Sequence, residues 1–282
     1  MNRPQPHLEP DASGACAADG TPFRNPARPR PKRDVRKALH HFRELIKDKE
    51  DTEQVFHIYD ALPAKTFLPR ARALTLSAEG EALRANEPFL PPILDDHEAL
   101  LKLPKGSVAH AYVDFMRSEG LSAAGLVAES EKMGRPKFGD LIEWFGFRQR
   151  DTHDLMHVLT GYGRDALGEQ CVLLFTHGQS PSHGHLLLGY AGALNIRKQV
   201  KSRAPIFRAV REAHRIGKAC PPIVAMPIRD LLAMDLAEAR RKLRITEPAW
   251  YRRCHAVWRS EGIDPYDLLA SERTTGSEPA AA

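Results

Sequence analysis

The chain lacks any run long and apolar enough to span a bilayer. Its longest stretch free of Asp, Glu, Lys and Arg, residues 170–196, is interrupted by Gln179, Ser180, Pro181, Ser182 and three histidines, whereas a spanning helix needs about 20 mostly apolar residues in succession. No apolar segment follows a basic start, so no secretory signal is expected. The four cysteines, Cys16, Cys171, Cys220 and Cys254, show no CxxC spacing, which argues against a disulfide frame and for reduced thiols in a cytoplasmic compartment. Strand-like alternation never extends beyond a few residues, and there is no nucleotide-binding glycine loop and no internal repeat. Zinc-finger and RRM signatures are missing as well, so nucleic acid is not an expected partner.

What remains is helical. The 282 residues, 42% of them hydrophobic, suffice for one substantial core or two small ones. Residues 1–33, rich in Pro, Gly, Ala and Arg without apolar periodicity, read as a disordered and dispensable tail; the frequent prolines also break any amphipathic presequence helix. From Asp34 as N-cap, Val35, Ala38, Leu39, Phe42, Leu45 and Ile46 recur at helical spacing. A second helix begins near Asp51 and stops before Pro63. Residues 63–104 read as short helices between prolines. A firmer helix follows over 108–119, capped by Gly120, and then a helix or turn over 122–132. The run 138–147 reads as core aromatics leading into the segment described below. Further helices are expected over 165–177, 183–198, 205–217, 228–243 and 248–261, with a C-terminal tail over 271–282. The expected fold is therefore all-α, a single helical domain over 34–270.

The net charge of +5 is unevenly spread, with a basic excess over residues 197–259. Such an excess suits an anionic membrane surface or a phosphate-bearing partner, and a solvated helical surface equally well. In 183–198, Gly184, Gly189 and Gly192 stand among leucines. Small residues at that spacing let helices approach closely, serve a homodimer interface, or leave a cleft for a long apolar ligand. In the last helix Trp250, Tyr251 and Trp258 stand among arginines, a mixture found both in interfacial helices and in helices docked on a core.

The chemistry lies in R-D-T-H-D-L-M-H-V-L-T-G-Y-G-R-D-A-L-G-E-Q, residues 150–170. His153 and His157 are four apart, so on a helix their imidazoles stack on one face and reach one ion. Asp154 lies about 100° round the helix and ligates only from the edge of that face. Gly161 and Gly163 turn the chain back, and a helix starting near Arg164 brings Glu169 toward the histidines. Two imidazoles and two carboxylates suit a divalent ion such as Zn²⁺, Mn²⁺, Fe²⁺ or Co²⁺. No HExxH is present; Asp154 stands where zinc proteases have a glutamate base. His177, His183 and His185 read first as a polar loop, and second as substrate contacts or as groups supporting the ligands. Arg150 and Arg164 flank the site, where an arginine can pair with a carboxylate.

These residues resemble the coenzyme Q (ubiquinone) biosynthesis protein 4 family, marked by H-D-x-x-H, eleven residues and a Glu: here His153, Asp154, His157 and Glu169. The flanks T-H-D-L-x-H-V-L-T-G-Y-G and L-G-E agree, as do D-T-E-Q-V-F (51–56), L-P-K-G-S (103–107) and A-Y-V-D-F (111–115); the resemblance covers roughly residues 35–245. It implies a helical protein, peripheral on the inner membrane, that binds zinc, with iron(II) or manganese(II) also suited to the ligands. It implies action on a polyprenylated 4-hydroxybenzoate, with His153, Asp154, His157 and Glu169 as metal-binding and catalytic residues of a C1 decarboxylase (a carbon–carbon lyase), oxidative with hydroxylation. The tail of that lipid is expected between helices near 183–198. The family has also been regarded as a non-catalytic lipid-binding organiser of the other ubiquinone-synthesis proteins, in which the metal is structural. A metal-dependent phosphohydrolase of the His-Asp type is disfavoured, because that pattern needs an earlier isolated His and a later Asp.

Overall fold

The computed structural model describes residues 14–47, 51 and 53–268. Among them there is no strand, only two isolated bridges, Cys16 with Pro22 and Ser107 with Asp235. The helices are α1 (Val35–Lys47), α2 (Glu53–Ala61), α3 (Phe67–Thr75), α4 (Ala78–Asn86), α5 (Pro91–Leu94), α6 (His97–Leu100), α7 (Val108–Ser118) and α8 (Ala123–Glu131). They continue with α9 (Leu141–Asp151), α10 (His153–Thr160), α11 (Ala166–Gln179), α12 (His183–Gln199), α13 (Ile206–Ala219), α14 (Ile228–Ala233), α15 (Leu236–Lys242) and α16 (Ala249–Ser260). Side-chain caps set many of the starts: Ser77, Ser107, Ser122, Asp140, Asp165 and Ser182 each accept a first-turn backbone N–H.

The main core gathers around α11, which packs on α12 and α13, with α10 against α7 and α16 across α13. Gly189 and Gly192 are taken up by this packing. A Cβ on Gly189 would lie 1.5 Å from Leu174 Cδ2, and one on Gly192 2.3 Å from Gln170 Oε1, so α12 is drawn onto α11. The last helix docks on the core: Tyr251, Cys254, His255 and Trp258 are buried, and Trp250 lies under the Arg208 guanidinium at 4.6 Å. The expected helix over 228–243 is two helices. The chain breaks at Asp235, which caps α15, because Met234 O and Leu236 N are engaged by Val108 and Gly106. The base of α9 is fixed by a buried pair, Arg148 with Glu87 at 2.7 Å, whose guanidinium also donates to the carbonyls of Val224 and Met226.

One expectation needs correcting. Residues 1–13 and 269–282, which include the expected C-terminal tail, lie outside the described residues. Residues 14–33 are non-helical as expected, yet they are not a free tail. Ala17 and Phe23 are buried in a second cluster with Ala71, Leu141, Ile142 and Phe145. Asn25 N and the Arg28 guanidinium both donate to the Asp140 carboxylate, Arg28 at 2.6 and 2.7 Å. Helical periodicity cannot register such a segment, since its few apolar residues sit in turns.

Two outcomes follow. Phe23→Ala removes a buried ring and is expected to cost about 3 kcal/mol, lowering Tm by roughly 5–10 °C; deletion of residues 1–32 should do at least as much, and an unchanged midpoint would show this segment to be dispensable. The second concerns acid. Burial alone would raise the Asp140 pKa, but the hydrogen bonds from Arg28, Asn25 N and Glu143 N and the Arg28 charge outweigh it, so the carboxyl is held below its ordinary value. A carboxyl depressed in the folded state stabilises above its unfolded pKa, and that contribution is lost as pH falls through the folded value. Denaturation of wild type and Arg28→Ala at descending pH should therefore show a stability gap that closes below about pH 4.

Candidate metal centre

The site is built where α9, α10 and α11 follow one another. Thr152 separates α9 from α10 and turns its hydroxyl back to the Arg148 carbonyl at 3.0 Å. In α10 every residue from Asp154 to Thr160 is buried. The helix ends at Gly161, whose φ of 75° is a left-handed cap that a side chain would strain. The chain then reverses through Tyr162 and Gly163 into Asp165, which caps α11 by accepting from Leu167 N and Gly168 N. A Cβ on Gly168 would stand 2.0 Å from Gly163 O, so the turn closes only with glycine there.

This turn is bolted to α16. The Tyr251 hydroxyl donates to Asp165 Oδ2 in a short hydrogen bond and accepts from Gly163 N at 3.0 Å, while His255 Nε2 lies 3.2 Å from Asp165 Oδ1. Tyr251 and His255 stand more than eighty residues downstream, and no local pattern in the chain connects them to the motif.

The turn also orients a ligand. His157 Nδ1 lies 3.0 Å from the Tyr162 carbonyl oxygen, which can only accept. Nδ1 therefore carries the proton, and the neutral ring offers its Nε2 lone pair. Phe115 of α7 stacks on the same ring with centroids 5.5 Å apart. His157 Nε2 lies 3.3 Å from His153 Nε2 and 3.5 Å from Glu169 Oε2, and His153 Nε2 lies 3.7 Å from Glu169 Oε2. A point equidistant from these three atoms is about 2.0 Å from each, the bond length of zinc to imidazole nitrogen or carboxylate oxygen. Three donor atoms so placed, one already tautomerically set, fit a divalent ion.

Charge supports the same reading. Burial works against a charged His157 ring, but Glu169, Asp154 and the Tyr162 carbonyl outweigh it and raise its pKa. Burial likewise works against the Glu169 carboxylate, yet the two histidines hold its pKa far below the ordinary carboxylate range. Glu169 is thus an anion at any physiological pH, and its second oxygen lies 3.7 Å from Arg164 Nε.

His153, His157 and Glu169 come together as the spacing predicts. Asp154 is outside this group of three, because its position a third of a turn on from His153 points it away; it is buried in the wall of the same cleft. That cleft, about 2870 Å³, is lined near the site by His153, Asp154, Glu169, Tyr59 and His185, and by apolar Leu173. Of the downstream histidines, His183 is exposed, His177 is tied to the Ser182 backbone, and His185 faces the cleft. Arg150 also lines it, holding Asp151 and Ser130.

Metal analysis of the purified protein checks the ligand set. His157→Ala should lose the ion, and full metal content in that variant would remove the assignment. Tyr251→Phe, which loosens the turn carrying the Tyr162 carbonyl, should weaken metal affinity by roughly tenfold.

The model of the family "Coenzyme Q (ubiquinone) biosynthesis protein Coq4" matches residues 62–249, a span that begins beyond the block at 51–56. Over 185 residues the chain is 26% identical to the mitochondrial ubiquinone biosynthesis protein COQ4 homolog 1 of Culex quinquefasciatus, covering 62% of this chain and 61% of that protein. It is 24% identical over 201 residues to the mitochondrial ubiquinone biosynthesis protein COQ4 of Kluyveromyces lactis, covering 71% and 58%. The chain thus spans about three fifths of the length of these curated relatives. A crystal structure from Nostoc punctiforme, of a protein provisionally named for ubiquinone biosynthesis, shares the fold with a TM-score of 0.55, 21% identity, and coverage of 77% of this chain and 100% of that one. With two thirds of its length matched by the family model and its His153, His157 and Glu169 drawn together, this chain belongs to the coenzyme Q (ubiquinone) biosynthesis protein family Coq4.

Proposed function

We propose that this chain acts in ubiquinone biosynthesis as a metal-dependent enzyme that removes the C1 carboxylate of a polyprenylated 4-hydroxybenzoate. The observation that carries the reading is the setting of the His153–His157–Glu169 group: only three ligand atoms converge, and two of the three residues are about one third exposed, to a large cleft. A structural zinc ion takes four protein ligands and is closed, whereas a catalytic one keeps a position for substrate or water. Bound there, a divalent ion, zinc by preference, supplies a Lewis acid able to hold a carboxylate or a phenolate.

The chain's own residues do the rest. His153 and His157 would each offer an Nε2 atom to the ion, and Glu169 supplies a carboxylate held in its charged form. Asp154 stands in the wall of the same cleft, and we assign it to the site as well, as the group that orients the substrate's water or proton. The two carboxylates balance a divalent ion, so a substrate carboxylate can approach without strong repulsion. Arg164, beside Glu169, and Arg150, in the cleft wall, offer cationic partners for the same carboxylate. The cleft exceeds the 300–1,000 Å³ of ordinary small-ligand sites, which leaves room for a polyprenyl tail along Leu126, Met156, Leu173 and Leu188. Among the described residues no helix is long and apolar enough to cross a membrane. Leu186 and Leu194 are exposed on α12 near Arg197 and Lys198, a face suited to an anionic membrane surface from which such a lipid would be drawn. Carbon dioxide can leave with a proton taking its place on the ring, or with a hydroxyl, for which dioxygen is a fitting oxidant.

Mass spectrometry of the lipid after incubation with metal-loaded protein tests the reading. Wild type should yield product lacking the C1 carboxyl and His157→Ala none, and the oxygen content of the product separates the plain from the oxidative reaction. If the lipid is bound and the ion retained but no product forms, the enzyme reading is overturned in favour of a lipid-binding organiser.

A further inference from the structure

The cleft has a second polar feature, set on α2 and α12, which the metal reading does not use. The rings of Tyr59 and His185 lie 4.7 Å apart, and both line the cleft. Tyr59 is received there by Gly184: a Cβ at that position would come within 2.6 Å of the Tyr59 ring. Leu188, one turn beyond His185 on α12, packs with Ile58, Ala61 and Leu62, so α2 and α12 hold this pair between them. No hydrogen bond to a described residue satisfies the Tyr59 hydroxyl or the His185 ring, and His185 Nδ1 is sealed from solvent without a partner.

A polar atom sealed in a cleft wall without a partner, as His185 Nδ1 is, is costly when it carries a proton. An orphaned buried N–H is rarer than an orphaned lone pair, which places the His185 proton on Nε2 rather than on the sealed Nδ1. Burial, with the charges of His153 and His177, pushes the His185 pKa down to about 3. Burial and the Glu169 charge push the Tyr59 hydroxyl far above its ordinary value. Both groups therefore stay neutral at physiological pH. Together they present an N–H and an O–H donor to the cleft with no acceptor among the described residues, which complements a ligand oxygen.

The charge pattern decides which oxygen. A carboxylate belongs with the ion and with Arg164 beside Glu169, since a full charge gains more from cations than from neutral donors. Two neutral donors suit a phenolic or ketonic oxygen. We propose that Tyr59 and His185 form the subsite for the phenolic oxygen of the aromatic head group, at the far end of the ring from the carboxylate held at the metal centre. The inference rests on the substrate class proposed above. When the C1–carboxylate bond breaks, ring electron density is shared with the oxygen para to it, so donors placed there would hold that oxygen in the ground state and strengthen as its charge grows.

Binding of two lipids of equal chain length to metal-loaded, full-length protein tests this: a prenylated 4-hydroxybenzoate and its counterpart lacking the 4-hydroxyl, followed by equilibrium dialysis. Wild type should prefer the hydroxylated lipid by roughly 10–100-fold, the effect of one to two buried hydrogen bonds. Tyr59→Phe, which keeps the ring, and His185→Phe should each cut that preference about tenfold. Affinity for the deoxy lipid and metal content should stay as in wild type. Gly184→Val, which displaces the Tyr59 ring, should reproduce Tyr59→Phe. Preference unchanged in Tyr59→Phe and in His185→Phe overturns the subsite while leaving the proposed reaction standing. Failure of wild type to bind either lipid at full metal content overturns both.

Discussion

The contact on which the site depends is the hydrogen bond from the His157 ring to the Tyr162 carbonyl at 3.0 Å. It ties His157 of α10 to the turn that ends α10, so the turn that reverses the chain also sets the tautomer of the neutral imidazole. A carbonyl accepts and cannot donate, so in the neutral ring the lone pair falls on Nε2. The turn is held in place in its own right by Tyr251 and Asp165. A buried carboxylate is costly without partners; Asp165 has two backbone N–H groups, a phenol and an imidazole around it, and in return it fixes where α11 begins. Glu169 stands one turn further along, so its approach to the histidines is a consequence of the capped start.

Around this turn the helices are arranged by close approach. Gly189 and Gly192 bring α12 onto α11, and Gly217 brings α13 against the Phe175 backbone, where a Cβ would lie 2.0 Å from the carbonyl oxygen. Such contacts leave α11 immobilised on two sides while its N-terminal turn faces the cleft. The α1–α2 hairpin belongs to a separate small cluster with Leu188, and it completes the cleft wall that carries Tyr59.

Much of this was legible in the chain. The i, i+4 pair His153 and His157, the glycine break and the return to Glu169 are all local, and local geometry is what spacing encodes. The helix start at Ser122 follows from a cap that sits within three residues of the group it satisfies. Asp154 shows the limit of the same logic. It is adjacent to His153 in sequence and part of the motif, yet the structure leaves it out of the converging group, since one residue of helix is a third of a turn.

What the sequence by itself determined is the all-α character, the order of the elements and three residues able to share an ion, because periodicity, capping and chain reversal act over a few residues. Only the tertiary structure decided the folding of residues 14–33 onto Asp140, the clamp of Tyr251 and His255 on Asp165, the use of glycines in α12 for packing, and the meeting of Tyr59 with His185. Each of these joins segments separated by tens to more than a hundred residues. Such pairings are selected by which apolar faces bury against one another across the whole domain, and no spacing within a single stretch records that choice.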